Sequence, residues 1–241
     1  FFIGALAKPA NDARDRALGL TAVAASILAI AIAPSGAART GLAIGVPAYA
    51  LARTAPGVLR RAAGLAAAGA ILLMPVLAAL AARLGERVPV TLPMSARHRL
   101  QIWDFTAARI AERPIFGWGF GSSRDIPNFG VAPFDPGFDD VIPMHPHNGV
   151  LEIWLELGAL GAVLAAALAL AVARVLRDQP ARMQPESYAA TLTAFWILAT
   201  AYGLWQEHWI ATLIALSLVV QAIARHARAC QGAGTSPCFI W

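Results

Sequence analysis

Apolar residues in this chain are clustered in long blocks, and short polar gaps separate the blocks. A helix needs about 20 apolar residues to cross a hydrocarbon core of about 30 Å, and the blocks have roughly that length. The predicted fold class is therefore an all-α polytopic membrane protein, a bundle of transmembrane helices. After a partial helix at residues 1–7, the pattern predicts crossings at about 18–34, 36–53, 62–82, 147–172, 188–206 and 209–225.

The composition supports a membrane protein over a soluble one. Apolar residues make up 58% of the chain and charged residues 14%, with a mean hydropathy of +0.60, whereas a soluble domain carries about a quarter charged residues. The opening stretch FFIGALAKPA has no basic region before its first apolar residues, so it does not resemble a signal peptide. It reads as the end of a helix, and we expect further helices upstream.

The positive charges predict the orientation of the chain. The net charge is +5, and most basic residues lie in short gaps between apolar blocks, as in cytoplasmic loops and unlike a nucleic-acid surface. These gaps contain Lys8, Arg14, Arg16, Arg53, Arg60, Arg61, Arg174, Arg177, Arg182, Arg225 and Arg228. Alternation then puts both chain ends in the cytoplasm and the long segment 83–146 in the periplasm.

The predicted divisions are three crossings within 1–82, the periplasmic loop 83–146, three crossings within 147–228 and a cytoplasmic tail at 229–241. Cys230 and Cys238 lie in this tail. A structural disulfide is not expected in the cytoplasm, and two cysteines alone do not make a metal site.

The periplasmic loop contains a predicted amphipathic helix at about 95–113. Ser95 is its expected N-cap and Pro114 ends it. Its apolar positions recur at spacings of three and four, at Leu100, Trp103, Ala107 and Ile110. We expect this helix to lie along the membrane surface. There it would hold four arginines near the lipid headgroups: Arg97, Arg99, Arg109 and Arg113.

Two of the predicted crossings are irregular. Pro47 interrupts the crossing at 36–53, so neighbouring groups must satisfy the freed backbone. Gly158 and Gly161 lie three apart in the crossing at 147–172. Small residues at this spacing predict that another helix approaches closely.

Two histidines, His145 and His147, stand at the start of the fourth crossing. With Asp139 and Asp140 upstream they could bind a metal, although no spacing fixes a third ligand. They could instead close a loop at the membrane interface. The third interpretation is catalytic, because Pro146 suits the first position of a helix and would place His147 in its first turn. The helix dipole there disfavours imidazolium, and a neutral imidazole can accept a proton from a hydroxyl.

Two glutamates, Glu152 and Glu156, share one face of the same predicted helix. Acids near a helix N-terminus are favoured by the dipole, but an ionisable group two turns into a membrane is a functional candidate. At about 100° per residue, they lie about 140° and 180° round the helix from His147. We therefore expect them to bond to a neighbouring helix or to a substrate sugar.

Arginines supply the candidate phosphate ligands. Arg39 lies at the outer end of the second crossing, and Arg97 opens the amphipathic helix. Each alone would be an ordinary surface or snorkelling charge. Together they place two guanidiniums on the same side of the membrane as His147, and guanidinium groups bind phosphate oxygens bidentately.

These motifs resemble the O-antigen ligase and O-antigen polymerase superfamily. The resemblance rests on Ser95-x-Arg97 with Trp103 downstream, on ERPIFGWGFGSS at 112–123, and on His147-Asn148 followed by Gly158-x-x-Gly161. PSGAARTGLAIG at 34–45 resembles an upstream Ser-Arg element of the family, although Ser35 and Arg39 stand four apart rather than adjacent.

The resemblance implies a GT-C-like helical glycosyltransferase in the bacterial inner membrane. It would move a glycan from undecaprenyl diphosphate to an acceptor hydroxyl on the periplasmic face, without a metal or other cofactor. The implied catalytic residues are His147 and Arg97. We expect the substrate to be bound by Arg39, Arg99, Trp103, His145, Asn148, Glu152 and Glu156.

The acceptor is left open by the sequence. It could be lipid A–core, another lipid-linked repeat or a protein, and ligation ranks slightly above polymerisation. A proton-coupled transporter with Glu152 and Glu156 as relay groups is the alternative from another class. It is less favoured, because transporters carry repeated halves and midplane polar groups, whereas the polar groups here gather at one face.

Overall fold

The computed structural model of the chain describes residues 13–87, 92–134 and 137–232. Across these ranges the chain forms helices and no strand, which confirms the all-α class. The helices are α1 (Ala13–Ile32), α2 (Gly36–Thr54), α3 (Pro56–Arg87), α4 (Met94–Glu112), α5 (Gly149–Arg177), α6 (Gln184–Thr200) and α7 (Glu207–Gly232), with 3₁₀ turns at Ser122–Arg124 and Ala181–Met183. The partial helix predicted at 1–7, and Cys238, lie outside the described residues.

Each predicted apolar block in the described ranges is helical, but several bounds differ. α6 ends at Thr200, six residues before the predicted end of its crossing, and α7 continues to Gly232, into the predicted tail. Two helical spans, Pro56–Gly85 and Gly149–Arg177, are long and apolar enough to cross a membrane. The full count of six crossings stays a prediction.

The described residues divide into two compact units, and the first comprises 13–62, 173–197 and 210–232. In this unit α2 and α6 pack closely through small residues. The Thr193 hydroxyl donates to the Gly41 carbonyl at 3.3 Å. A Cβ on Gly45 would stand 2.5 Å from the Thr193 oxygen. Glycines spaced four apart thus let the α6 backbone approach α2, as in membrane helix pairs.

The second unit comprises 63–172 and 198–209, and α4 lies within it. Pro93, not Ser95, precedes the first helical residue of α4, and its carbonyl accepts from the Ala96 N–H at 2.9 Å. The prediction of a Ser95 cap was wrong, because the helix begins before that residue. The buried face of α4 consists of Ile102, Phe105, Thr106 and Ile110.

A break at Gly158 divides α5 into two helical parts. Gly158 has φ 63 and ψ −156, which interrupts the hydrogen-bond ladder. The preceding carbonyls of Leu155 and Glu156 accept from Trp118 N–H (2.8 Å) and Gly119 N–H (3.0 Å). Beyond the break, the Ala159 N–H donates to the Pro114 carbonyl at 2.8 Å. The segment PIFGWG at 114–119 therefore satisfies the groups that the break releases, as an apolar surrounding requires.

Glycine is needed on both sides of this junction. A Cβ on Gly158 would overlap the Ile115 carbonyl, and one on Gly117 (φ 69) would stand 2.5 Å from the Glu156 carbonyl carbon. The prediction that Gly158 and Gly161 admit another helix was wrong for Gly158. A loop segment fills that space, because extended backbone can supply the missing donors and acceptors and a helix cannot.

Candidate functional site

Asn148 caps α5 and fixes where the helix begins. Its Oδ1 accepts from the Val150 and Leu151 N–H groups, both at 3.0 Å, and the side chain is 1% exposed. The helix therefore starts at Gly149, and the prediction that His147 lies in its first turn was wrong. The helix begins after Asn148 rather than at Pro146, because the Asn148 side chain accepts from two backbone N–H groups that would otherwise be unpaired.

His147 lies just before this cap in the left-handed backbone region, with φ 52. Non-glycine residues adopt this conformation at a cost of roughly 1–3 kcal/mol, and such residues concentrate at functional sites. Its Nδ1 lies 3.2 Å from the Ala201 carbonyl. A carbonyl only accepts, so Nδ1 carries the proton of the neutral ring and Nε2 holds the free lone pair.

The charge state of His147 follows from its surroundings. Burial lowers its pKa most, the Ala201 contact opposes this, and electrostatic interactions with Arg99 and then His98 lower it further. A neutral imidazole with an available Nε2 is the form that acts as a general base. The neutral imidazole of the prediction is favoured here as well, but the main cause is burial of the ring rather than the dipole of a helix.

His145 supports His147 from two residues away. Its Nδ1 accepts from the His147 backbone N–H at 3.0 Å, its Nε2 lies 2.9 Å from the Gln206 side-chain amide, and the two imidazole rings are 4.5 Å apart. The side chain is 7% exposed. Burial is the main cause that lowers the pKa of His145 to about 4, and the positive charge of Arg124 and the neighbouring His147 ring, which disfavours a second imidazolium beside it, lower it further. His145 therefore stays neutral and holds the strained backbone.

The two glutamates of α5 bind protein groups. Glu156 accepts from Trp205 Nε1 (2.8 Å), the Gly121 N–H (3.0 Å) and the Ser123 hydroxyl (2.7 Å). Glu152 accepts from the Leu204 N–H. Both carboxylates are buried and join α5 to two loops, 117–124 and 201–206. Their partners in the described residues are loop donors rather than a neighbouring helix, and binding of a substrate sugar by these glutamates stays a prediction.

α4 presents its arginines on two sides. Trp103 Nε1 donates to the Pro146 carbonyl at 3.0 Å, and Arg99, one turn before Trp103, acts electrostatically on His147. Arg97 lies about 200° round the helix from Arg99. Its guanidinium stands over the Phe134 ring, 5.3 Å from the centroid. Of the two arginines, Arg99 is the one whose charge lowers the pKa of His147, and a catalytic role of Arg97 stays a prediction.

A cavity of about 560 Å³ opens in the second unit next to these groups. The residues that line it are Phe120, Gly121, Ser123, Arg124, Met144, His145, Glu152, Glu156, Trp205, Gln206, Glu207 and His208. No sequence pattern marks Arg124 as a candidate, although its charge acts on His145. The stretch WQEH at 205–208 was also missed, although its four polar or amphipathic residues between apolar blocks were a usable signal.

The remaining candidates are placed as follows. Arg39 lies in the first turn of α2, in the other unit, behind the N-cap Ser35, whose hydroxyl oxygen accepts from the Ala38 N–H. Its role stays a prediction. Within the ranges that the structure describes, no group of three or more His, Cys, Asp or Glu residues could hold a metal ion. The metal interpretation of His145 and His147 therefore gains no third ligand there.

The depressed pKa of His145 predicts a loss of stability in acid. Its pKa falls from 6.5 to about 4 on folding, so the neutral ring stabilises the fold fully above pH 6.5, and this is lost as the pH falls towards 4. The loss is at most roughly 3 kcal/mol. His145→Asn keeps an acceptor near Nδ1 without a titrating ring. Thermal unfolding between pH 7 and 4.5 should show a smaller decline for the variant, and equal declines would contradict the assignment.

Comparisons with known proteins match this chain to one family. A family model described as O-antigen ligase matches residues 21–166. A protein of Rickettsia prowazekii named "Putative polysaccharide ligase RP358" is 31% identical over 201 residues, 81% of this chain and 49% of that protein. Similarly named proteins of Rickettsia felis and Rickettsia typhi are each 30% identical, with the same coverage. The chain spans about half the length of these relatives. No solved structure matches it.

Proposed function

Because the chain belongs to the O-antigen ligase family, we propose that it is part of a membrane glycosyltransferase. The enzyme takes a glycan from undecaprenyl diphosphate and passes it to an acceptor hydroxyl on the periplasmic face of the bacterial inner membrane. The proposal is supported by the cavity of about 560 Å³, whose wall includes His145 and Arg124. His147 is not part of this wall and is joined to it through the hydrogen bond from its backbone N–H to His145.

His147 is the proposed general base. The acceptor hydroxyl attacks the anomeric carbon and gives its proton to Nε2 of His147, while the bond from that carbon to the phosphate oxygen breaks and the lipid diphosphate leaves with the bonding electrons. The contact of Nδ1 with the Ala201 carbonyl supports this role, since it leaves Nε2 as the basic nitrogen. His145 is a positioning residue, which holds the backbone of His147.

Arginines are the proposed ligands of the leaving diphosphate. Arg124 lines the cavity, and Arg99 acts electrostatically on His147. Preorganised cations stabilise charge that develops on a leaving group, and guanidiniums do so bidentately. Arg97 is added to this set from the sequence, and the predicted role of Arg39 is left separate because Arg39 lies in the other unit. The lipid part of the donor lies in the membrane. A site at the end of a long apolar helix is therefore expected for its diphosphate.

The acceptor distinguishes three proposed activities. The printed names of the relatives favour ligation, to lipid A–core or another polysaccharide acceptor, over polymerisation or transfer to protein. A proton-coupled transporter is the second candidate from another class. It is less favoured because the carboxylate of Glu156, its proposed relay group, accepts hydrogen bonds from an indole, a hydroxyl and backbone groups.

The proposal is tested by incubating the full-length protein with an undecaprenyl-diphosphate glycan and each acceptor class in turn, with and without EDTA. We expect one acceptor to gain sugar, and we expect transfer to persist in EDTA because arginines supply the positive charge. Activity lost in EDTA and restored by zinc would contradict the metal-independent mechanism. Failure of every acceptor to gain sugar would contradict the proposed function.

A further inference from the structure

Two exposed aromatic rings stand together at the cavity. Phe120 is 71% exposed and Trp205 is 39% exposed, yet their ring centroids are only 4.8 Å apart, with the ring planes tilted by 58°. Both residues line the cavity. Large apolar side chains that stay exposed beside polar groups commonly mark a binding site.

A single buried carboxylate fixes the two rings. Glu156 accepts from the indole Nε1 of Trp205 at 2.8 Å and from the backbone N–H of Gly121, next to Phe120, at 3.0 Å. It also accepts from the Ser123 hydroxyl at 2.7 Å. Glu156 is 1% exposed. The rings are therefore held in place before any ligand arrives, which reduces the entropy lost on binding.

The rest of the wall supplies hydrogen-bonding groups. Arg124, Gln206, Glu207 and His208 line the same cavity as the two rings. A sugar ring has one face of C–H groups, which packs on an aromatic ring, and an edge of hydroxyl groups, which bind carboxylate, amide and guanidinium groups. Aromatic side chains that only anchor a protein at a lipid interface would not need this polar surround.

We propose that Phe120 and Trp205 form a sugar-stacking subsite, which binds the glycan of the lipid-linked donor beside its diphosphate. This inference rests on the proposed function. It assigns different parts of the lipid-linked donor to different side chains of the cavity. The rings bind the first sugars, and Arg124 binds the phosphate side. Glu156 is a positioning residue that acts through Trp205 and the Phe120 loop.

The test measures binding to the full-length protein of two ligands: undecaprenyl diphosphate bearing its glycan, and undecaprenyl diphosphate alone. We expect Phe120→Ala to weaken binding of the glycan-bearing lipid about tenfold and to leave binding of the bare lipid unchanged. Phe120→Tyr should restore the affinity. Phe116→Ala is the matched control, since Phe116 is 73% exposed in the same loop but does not line the cavity.

Each outcome decides one of the two proposals. If the wild type prefers the glycan-bearing lipid and Phe120→Ala keeps that preference, the subsite is overturned and the proposed function stands. If the wild type binds neither lipid, the proposed function fails and the subsite with it. Trp205→Phe, which keeps a ring but removes the donor to Glu156, provides a second variant. This variant should weaken binding of the glycan-bearing lipid. The melting temperature of the protein is measured in parallel.

Discussion

Replacing His147 by alanine is expected to lower glycan transfer by about 10²- to 10⁴-fold, the usual contribution of a general base. The Nε2 lone pair is the group that would take the proton of the acceptor hydroxyl, because Nδ1 faces the Ala201 carbonyl. Transfer should be measured in cells that lack the chromosomal copy of the gene, together with the amount of variant in the membrane fraction.

The backbone of His147 requires a matched control. Alanine at φ 52 carries strain that asparagine tolerates better. His147→Asn should therefore be as inactive as His147→Ala while keeping a melting temperature nearer the wild type. Full activity in either variant would contradict the role of His147 as the base.

Replacing Gly158 by alanine is expected to destabilise the second unit by about 3 kcal/mol or more, from strain at positive φ and from overpacking. The added Cβ would overlap the Ile115 carbonyl, which lies in the segment that supplies the Ala159 N–H with its acceptor. Separating this segment from α5 would leave carbonyls of Leu155 and Glu156 without donors. Thermal unfolding of the purified protein in detergent measures the effect.

Gly69→Ala is the control for this substitution. Gly69 lies within α3, in the same unit, and a Cβ there meets nothing within 4 Å. Alanine favours a helix over glycine, by up to about 1 kcal/mol. The control variant should therefore unfold at or slightly above the wild-type temperature. A Gly158→Ala protein as stable as Gly69→Ala would show that the junction between α5 and PIFGWG does not stabilise the unit.

The helices were predictable from the sequence because apolar blocks of this length have few alternatives to helix. The start of α5 was misplaced by two residues, since Pro146 and Asn148 are both valid helix-start signals. Only the structure shows that the Asn148 side chain accepts from Val150 and Leu151. Because the helix starts at Gly149, His147 lies outside it, and burial rather than the helix dipole lowers the pKa of His147.

The site itself was only partly predictable. The position of His145, Glu152 and Glu156 at the edge of an apolar block marks them as candidates, and all three line the cavity. The loop residues Arg124 and Trp205 were not predicted, because Glu156 brings their segments together from 32 and 49 positions away in the sequence. Local patterns do not encode such pairings. Which arginine of α4 faces the substrate likewise depends on how the helix packs, so the catalytic role of Arg97 and the binding role of Arg99 stay predictions.

We propose that lipid-linked glycan is transferred in the cavity that contains Arg124. The most direct test of this proposal is the rate at which the full-length protein in liposomes moves a labelled glycan from undecaprenyl diphosphate to its acceptor, compared between wild type and Arg124→Gln. Arg113→Gln is the control, because Arg113 lies over the Trp118 ring and does not line the cavity. Removing one such charge-stabilising donor costs about 10²- to 10³-fold in comparable sites. We expect a loss approaching that size for Arg124→Gln and a wild-type rate for Arg113→Gln. Equal rates in all three proteins would show that transfer does not depend on the cavity.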